Sequence, residues 1–229
     1  MEAKLIDSRE ISPGVRHFEF EAVGVDQLEF VPGQFTSFTE IIGDKEITRA
    51  YSLASAPSAT NRFELCLNRV EHGHLSPRLF DMKPGDRIGM RRPLGMFVLR
   101  NPPRDSIFFA TGTGIAPFRS ILQAHLNTSS PAFTLLFGVR YESHLLYREE
   151  FEQLALAHGN FRFWPTLTRP DAGWKGRQGR VQAHLTEAIG GRRDIDFYLC
   201  GLKEMVDEVR TLLKGQGFDR KQIFYEKYD

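Results

Sequence analysis

The chain has 229 residues, of which 41% are hydrophobic and 26% are charged, a composition that excludes fibrous and disordered proteins. Its formal net charge of +1 provides no overall attraction to nucleic acid or to an anionic membrane, so neither is expected as a partner. A chain of this length has room for two domains, each of which buries its own core.

The amino-terminal segment and the cysteines bear on where the protein works. The first ten residues, MEAKLIDSRE, carry charges where a signal peptide needs apolar residues, and no run approaches the roughly 18 apolar residues of a membrane-spanning helix. Because Cys66 and Cys200 are the only cysteines, a disulfide framework is not expected and a four-thiolate iron–sulfur cluster cannot be built from this chain. The histidines lack the spacing of a metal site. We therefore expect a cytoplasmic protein that binds no metal.

The first hundred residues alternate polar and apolar residues in short runs, which is typical of strands. Turn residues such as Pro32-Gly33 and Pro84-Gly85 separate the runs at regular intervals, and this spacing predicts a closed antiparallel barrel. One short helix is predicted from about Ser76 to Asp81. The clearest predicted strands are Val15 to Phe20, Phe35 to Ile41, Ile47 to Leu53 and Phe63 to Val70.

Strands and helices alternate after a polar, proline-rich stretch, and we place the boundary there, between a domain of residues 1–101 and a domain of residues 105–229. The alternation predicts a parallel sheet covered by helices, with its ligand site at the carboxyl ends of the strands. The predicted strands are 106–111, 132–139, 161–166, 195–200 and 222–226, and the predicted helices are 116–127, 147–158, 180–189 and 203–214.

Two parts of the chain carry residues suited to binding phosphates. The segment from Thr111 to Pro117 (TGTGIAP) joins a strand to a helix, and its glycines let the backbone approach a pyrophosphate at the helix N-terminus. Because Pro117 replaces the third glycine of the dinucleotide fingerprint, an ordinary turn is the alternative. Two further segments carry suitable groups. Arg49 to Ser52 (RAYS) offers a cation, an aromatic ring and a hydroxyl, and Gly73 to Ser76 (GHLS) offers a glycine and a hydroxyl at a helix start. Each segment alone is also typical of an ordinary strand or helix cap.

Five motifs in one order and spacing resemble the ferredoxin–NADP reductase family, the FAD- and NAD(P)-binding reductases of the ferredoxin/flavodoxin–NADP reductase type. The resemblance covers nearly the whole chain. It implies an N-terminal antiparallel Greek-key β-barrel that binds FAD, followed by an α/β parallel-sheet domain that binds the nucleotide. The motifs are R-A-Y-S, G-H-L-S-P-R-L, P-L-G-M-F, G-T-G-I-A-P-F and L-C-G-L-K-E-M, followed by an aromatic residue near the C-terminus.

The resemblance implies a role for the residues of the first-domain motifs. Arg49 would hold the FAD pyrophosphate, Tyr51 would stack on the isoalloxazine ring, and Ser52 would hydrogen-bond near flavin N5, the atom that accepts hydride. The rest of the implied FAD site comprises Ala50, Leu67, Asn68, Arg69, Gly73, His74, Leu75 and Ser76.

In the second domain the resemblance implies a pyrophosphate loop and a nicotinamide site. Cys200 and Gly201, at the end of a strand, would lie beside the nicotinamide. The implied loop consists of Thr111, Gly112, Thr113, Gly114 and Pro117.

The C-terminal segment resembles the family because it carries an aromatic residue, Tyr228, near its end. Tyr228 would cover the flavin face on which the nicotinamide stacks, and Glu226 would be the acidic residue near the flavin. Asp229 extends past the aromatic residue that ends many relatives, and a frayed tail is the alternative interpretation of this segment. The residues expected to act in the reaction are Ser52, Cys200, Glu226 and Tyr228.

Basic residues in the second domain favour NADPH over NADH. The second strand ends in Arg140, where a site that prefers NAD typically has an acidic residue, and Thr168-Arg169 resembles the family's clamp for a 2′-phosphate. Arg177 and Arg180 follow in the next loop. NADH remains the alternative, because this loop also resembles NADH-using reductases of multicomponent oxygenases and a basic loop is commonly only solvated.

The predicted function is electron exchange between NAD(P)H and a one-electron carrier, ferredoxin or flavodoxin, by hydride transfer at flavin N5, in a protein expected to be a monomer. One alternative is an NADH-dependent reductase component of an oxygenase or cytochrome P450 system. Others are a reductase of small molecules such as quinones or ferric chelates, and a flavin-binding regulatory subunit of a larger complex.

Overall fold

The computed structural model describes residues 1–228, and Asp229 lies outside the described residues. The strands are β1 (Glu2–Ser12), β2 (Val15–Val23), β3 (Phe35–Ile42), β4 (Lys45–Ser52), β5 (Arg62–Asn68), β6 (Arg87–Met90), β7 (Ser106–Thr111), β8 (Phe133–Val139), β9 (Phe161–Leu167), β10 (Arg177–Gln178), β11 (Asp196–Leu202) and β12 (Ile223–Tyr228). The helices are α1 (Leu75–Asp81), α2 (Ala116–His125), α3 (Arg148–Ala157), α4 (Leu185–Ile189) and α5 (Lys203–Gly215).

The chain forms two compact units. The first comprises Met1–Val98 together with Ala116–Ala124, so most of α2 packs with the amino-terminal strands. The second comprises Leu99–Ile115 and the chain from His125 onward. The predicted domain boundary between residues 101 and 105 stays a prediction.

The first unit is built on an antiparallel sheet with the strand order β4-β3-β6-β1-β2-β5. A bridge between Leu53 and Leu65 connects the chain after β4 to β5, and Ala54 N donates a hydrogen bond to Glu64 O at 2.8 Å. Because β4 and β5 are the two edges of the sheet, these contacts close it into the predicted barrel-like form.

Aromatic residues on one face of these strands fill the core of the barrel. The alternation in β2 buries Phe18 and Phe20 while the intervening glutamates face outward. The Phe20 ring lies 5.0 Å from that of Phe38 and 5.7 Å from that of Phe63, measured between centroids. Burial of such rings is the main apolar stabilisation of this unit.

The second unit contains a parallel sheet with the order β10-β9-β8-β7-β11-β12. Its central strands are nearly continuous apolar runs because a parallel sheet is covered on both faces; in β7, for example, Ile107 to Ala110 are all fully buried. Of the apolar residues at helical spacing on α5, Met205, Val206, Val209 and Leu213 are buried, whereas Leu212 is exposed. The carboxyl ends of β7, β8, β9 and β11 therefore lie along one edge.

The predicted fold class is confirmed, and most predicted bounds agree within one or two residues. The predicted helix 180–189 divides into a 3₁₀ turn at Val181–His184 and the short helix α4. The last strand runs two residues further than predicted, because its pairing with β11 continues to Leu202 opposite Tyr228. Within residues 1–228, no helix is long and apolar enough to cross a membrane.

Candidate functional site

One predicted set of residues lies at the end of β4 in the first unit. Successive side chains of a strand point to opposite faces, so Arg49 and Tyr51 share one face and Ser52 lies on the other. Arg49 is exposed, and its Nη1 donates a hydrogen bond to Thr48 O at 2.8 Å. Ala50 is exposed, whereas Ser52 is buried. This strand end thus combines an exposed cation with a buried hydroxyl.

Tyr51 supplies a partly buried aromatic ring beside that cation. Its ring centroid lies 5.7 Å from that of Phe38, and the side chain packs against the barrel core. Burial raises the pKa of the Tyr51 phenol to about 12, while the positive charge of Arg49 acts in the opposite direction. The phenol is therefore neutral throughout the physiological pH range, and its ring can serve as an apolar surface.

The other predicted FAD contacts lie from the end of β5 to the start of α1. Leu67, Leu75 and Ser76 are buried, and Asn68, Arg69 and His74 are exposed. Ser76 Oγ accepts a hydrogen bond from Val70 N at 3.0 Å, and Gly73 N donates to Val70 O at 2.8 Å. A Cβ on Gly73 would approach Val70 to 3.1 Å and Ser76 Oγ to 3.3 Å. The turn is thus compact, and its contacts to phosphate stay a prediction.

In the second unit, the predicted pyrophosphate loop meets the end of β11. Thr111 ends β7, and Gly112 to Ile115 form a 3₁₀ turn directly before α2, which has Pro117 in its first turn. A Cβ on Gly114 would lie 2.4 Å from Cys200 O, and a Cβ on Gly201 would lie 2.3 Å from Thr111 Oγ1. Thr111 Oγ1 also accepts a hydrogen bond from Leu202 N at 3.0 Å. Glycine is required at both positions because the two strand ends are in direct backbone contact.

Cys200, Glu226 and Tyr228 come together between β11 and β12. Cys200 pairs in register with Glu226, and Leu202 pairs with Tyr228. Burial and the negative charge of Glu226 raise the pKa of the Cys200 thiol, and a hydrogen bond with the Tyr228 side chain opposes them. Cys200 is therefore a thiol, not a thiolate, at neutral pH.

Arg140 and Thr168-Arg169 lie at adjacent strand ends in the same unit. Thr168 N donates to Val139 O at 3.0 Å, and Arg169 N donates to Arg140 O at 2.8 Å, so the chain stays paired beyond β8 and β9. Both arginine side chains are exposed, and the Arg169 guanidinium donates to Tyr141 Oη at 3.3 Å. Among the described residues, the Arg140 side chain has no carboxylate partner. Two guanidinium groups are thus available at this edge.

Arg177 and Arg180 differ from that pair because each contacts a carboxylate. Arg177 donates to both carboxylate oxygens of Glu187, at 2.5 and 2.7 Å, and its guanidinium lies 3.7 Å from the ring centroid of Trp164. Arg180 Nη1 lies 3.7 Å from Glu208 Oε2. A role for either arginine in phosphate binding stays a prediction, and the nearby carboxylate reduces the positive charge that each would offer to a phosphate.

Two residues that order these segments were not predicted from the sequence. Trp174 is buried, its Nε1 donates to Arg177 O at 2.8 Å, and a Cβ on Gly176 would lie 2.3 Å from its ring. The sequence signal for this packing was Gly176, a glycine two residues after the tryptophan, which leaves room for the ring. The second missed residue is Arg119 of α2, which is buried in the first unit. Nothing in the sequence indicated it, because arginines are mostly exposed.

Two protein families match the chain over successive parts of its length. The family described as Oxidoreductase FAD-binding domain matches residues 2–99, and the family described as Oxidoreductase NAD-binding domain matches residues 108–211. The chain is also 39% identical to ferredoxin–NADP reductase B of Sorangium cellulosum, over 100% of this chain and 97% of that protein. The chain belongs to the ferredoxin–NADP reductase family.

This ferredoxin–NADP reductase family member also resembles oxygenase components. It is 31% identical to the anthranilate 1,2-dioxygenase electron transfer component of Acinetobacter baylyi, over 89% of this chain and 60% of that protein. A solved ferredoxin NADP+ reductase of Neisseria gonorrhoeae with bound FAD and NADP has a TM-score of 0.86 and 25% identity, over 99% of this chain and 98% of that one. The predictions of an oxidoreductase with FAD- and NAD(P)-binding domains are confirmed, and the role of each site residue stays a prediction.

Proposed function

We propose that the protein exchanges electrons between NADPH and a separate one-electron carrier, a ferredoxin or a flavodoxin. Bound FAD supplies the chemistry for this exchange, because a flavin takes up two electrons together and passes them on singly. The observation that carries the choice of NADPH is the pair of exposed guanidinium groups of Arg140 and Arg169 at adjacent strand ends. A 2′-phosphate, which NADH lacks, is the anion that suits such a pair.

The end of β4 fits FAD in charge and polarity. The Arg49 guanidinium donates to one backbone carbonyl, so further N–H donors remain for a pyrophosphate. The neutral, partly buried ring of Tyr51 suits stacking on the flavin, and the Ser52 hydroxyl suits a hydrogen bond near N5. In this proposal these three residues bind the cofactor and orient its reactive ring.

The glycines in the second unit suit the approach of the nucleotide backbone. Gly112 carries no side chain that a nucleotide would have to avoid, and Gly114 and Gly201 let the loop and the end of β11 lie in close contact. Cys200 remains protonated beside the predicted nicotinamide position. A thiol there is a weak nucleophile, so the electrophilic ring of the oxidised nucleotide is protected from addition of sulfur.

A second candidate is an NADH-dependent reductase component of an oxygenase or P450 system. It is favoured by the contacts of Arg177 and Arg180 with Glu187 and Glu208, which reduce the positive charge available to a 2′-phosphate. The similarity to the anthranilate dioxygenase component supports it as well.

An anaerobic titration with NADPH and, separately, with NADH tests the choice of nucleotide. We expect NADPH to bleach the visible flavin band at lower concentration than NADH. The opposite preference favours the oxygenase-type reductase. A protein that cannot be loaded with FAD contradicts the proposed function, and one that binds FAD but does not turn over an artificial one-electron acceptor is better described as a regulatory subunit.

Replacement of Arg169 sharpens this test. Arg169→Gln removes one charged hydrogen-bond donor, so the apparent Kd for NADPH should rise about tenfold while that for NADH stays within about twofold. The matched control is Arg162→Gln, which removes the same charge from an exposed residue near the opposite end of β9. Equal effects of the two changes on NADPH binding would contradict the assignment of Arg169.

The cellular setting is part of the same proposal. We place the protein in the cytoplasm, where its two buried thiols remain reduced, and we propose that it works as a monomer with a separate carrier. Sedimentation of the FAD-loaded protein measures the oligomeric state, and a stable dimer would contradict the proposal that the protein works as a monomer.

A further inference from the structure

A buried arginine in the first unit lies next to the strand predicted to hold the flavin. Arg119 of α2 is 8% exposed. Its Nη1 donates a hydrogen bond to Ala54 O at 2.9 Å and a second one to Glu64 Oε2 at 2.5 Å. Ala54 follows Ser52 by two residues, so Arg119 contacts the backbone immediately after the predicted flavin-binding strand.

The chain from Leu53 to Ala56 is held from two sides. From β5, Glu64 O accepts a hydrogen bond from Ala54 N at 2.8 Å, and Glu64 N donates to Ser55 Oγ at 3.0 Å. From α2, Gln123 Oε1 accepts a hydrogen bond from Ala56 N at 3.0 Å. Together with the bond from Arg119, these contacts restrict the backbone that leaves Ser52.

Apolar contacts also attach α2 to the rest of the first unit. The Phe118 ring lies 5.7 Å from that of Phe97, and the Ile121 side chain reaches Gly33 closely enough that a Cβ there would be 3.2 Å away. A buried ion pair often adds less stability than apolar side chains of the same volume, because both charges lose their hydration. What the arginine adds is a directed hydrogen bond to one backbone carbonyl.

We propose that Arg119 is a positioning residue for hydride transfer, which acts by fixing the backbone after Ser52 and thereby the hydroxyl of Ser52. Glu64 orients the guanidinium, and Gln123 supports the same segment one peptide further on. This inference rests on the proposed function, in which Ser52 hydrogen-bonds near flavin N5. A displacement of about 1 Å at a reacting group lowers rates strongly, so loss of the Ala54 contact should slow flavin reduction without weakening nucleotide binding.

The test is stopped-flow reduction of the FAD-loaded protein by saturating NADPH, or by NADH if that nucleotide bleaches the wild-type protein better. In Arg119→Met the hydrogen bonds to Ala54 O and Glu64 Oε2 are lost, and we expect the reduction rate constant to fall about tenfold while the apparent Kd of the nucleotide stays within about twofold. The melting temperature should fall too, because Glu64 keeps a partly buried charge without its arginine.

A double variant separates positioning from stability. In Arg119→Met with Glu64→Gln the carboxylate charge is removed, so the melting temperature should recover, whereas the rate constant should stay low because Ala54 O still lacks its donor. Arg119→Lys keeps a charged donor and should recover part of the rate. The matched control is Arg62→Met, which removes an exposed arginine on β5 that is paired with Glu19 and should change neither quantity.

Each outcome decides the proposal. Recovery of the rate together with the melting temperature in the double variant would show a structural role only and overturn it, as would wild-type rates in FAD-loaded Arg119→Met. If that variant does not fold, Arg119→Lys and Gln123→Ala decide: reduced rates support the proposal, and wild-type rates in both overturn it. Failure of the wild-type protein to bind FAD or to be reduced would refute the proposed function itself, and the positioning role with it.

Discussion

The two units differ in which part of the chain faces the predicted ligand. In the first unit, the side chains of Arg49 and Tyr51 project from one face of an antiparallel strand. In the second unit, parallel strands end at a common edge. There Gly114 and Gly201 allow the backbone after β7 to contact the backbone at the end of β11. Side-chain contacts can be weakened step by step, whereas a backbone contact that excludes Cβ fails when one methyl group is added. This difference orders the predictions below.

The largest effect is expected from Gly201→Ala. A Cβ at this position would lie 2.3 Å from Thr111 Oγ1 and 2.7 Å from Thr111 O, and the backbone φ is +132°. Clash and strain together should lower the free energy of unfolding by about 3 kcal/mol and abolish nucleotide binding. Denaturant unfolding and the NADPH titration measure the two losses.

Gly217→Ala is the matched control for that substitution. Its φ of +83° is also in the left-handed region, but a Cβ there would meet no atom of the described residues within 4 Å. The cost should be about 1 kcal/mol, from backbone strain alone, and nucleotide binding should be retained. If both alanine variants lose the same stability, strain explains the cost at Gly201 and the close strand contact does not.

A graded loss is expected in the first unit when Tyr51 is replaced. Tyr51→Ala removes the ring and should raise the Kd for FAD about tenfold or more. Tyr51→Phe should leave it within about twofold, because a phenol with a pKa of about 12 is neutral and the ring supplies the contact. Flavin fluorescence during dialysis or titration measures these affinities. Equal losses in both variants would show that the hydroxyl group, not the ring, binds the cofactor.

The smallest effect at neutral pH is expected from Cys200, whose contribution to stability changes only in alkaline solution. Since the folded pKa of this thiol is raised, unfolding above about pH 8.5 releases a proton, and stability falls as pH rises by up to about 1.4 kcal/mol per unit. Below that pH the contribution is fully present. Cys200→Ala should therefore show a shallower decline between about pH 8.5 and 10 in denaturant titrations. Parallel declines would indicate that the thiol titrates alike in both states.

The sequence predicted the strands and helices well because their signals are local. Alternation at period two marked β2 and β4, and apolar residues at helical spacing marked α5. The strands β1, β6 and β10 were not singled out, and β10 is only two residues long, which is too short for a periodic pattern.

The partners of the charged residues could not be predicted in this way. Arg140, Arg169, Arg177 and Arg180 look alike in the sequence. Within residues 1–228, however, Arg177 and Arg180 contact carboxylates on α4 and α5, whereas Arg140 and Arg169 contact none. The burial of Arg119 against β5 was equally invisible, because 55 residues separate it from Glu64.

The sequence by itself determined the two-domain organisation, the family and the motifs of the predicted FAD and nucleotide sites, because these depend on residue order, short-range periodicity and turn chemistry. Only the tertiary structure decided that Gly201 has no room for a side chain, that Cys200 is kept protonated beside Glu226, and that Arg119 holds the backbone after Ser52. The reason is that steric space, local charge and hydrogen-bond partners are set by segments distant in the chain, which meet only when the strands pair and pack.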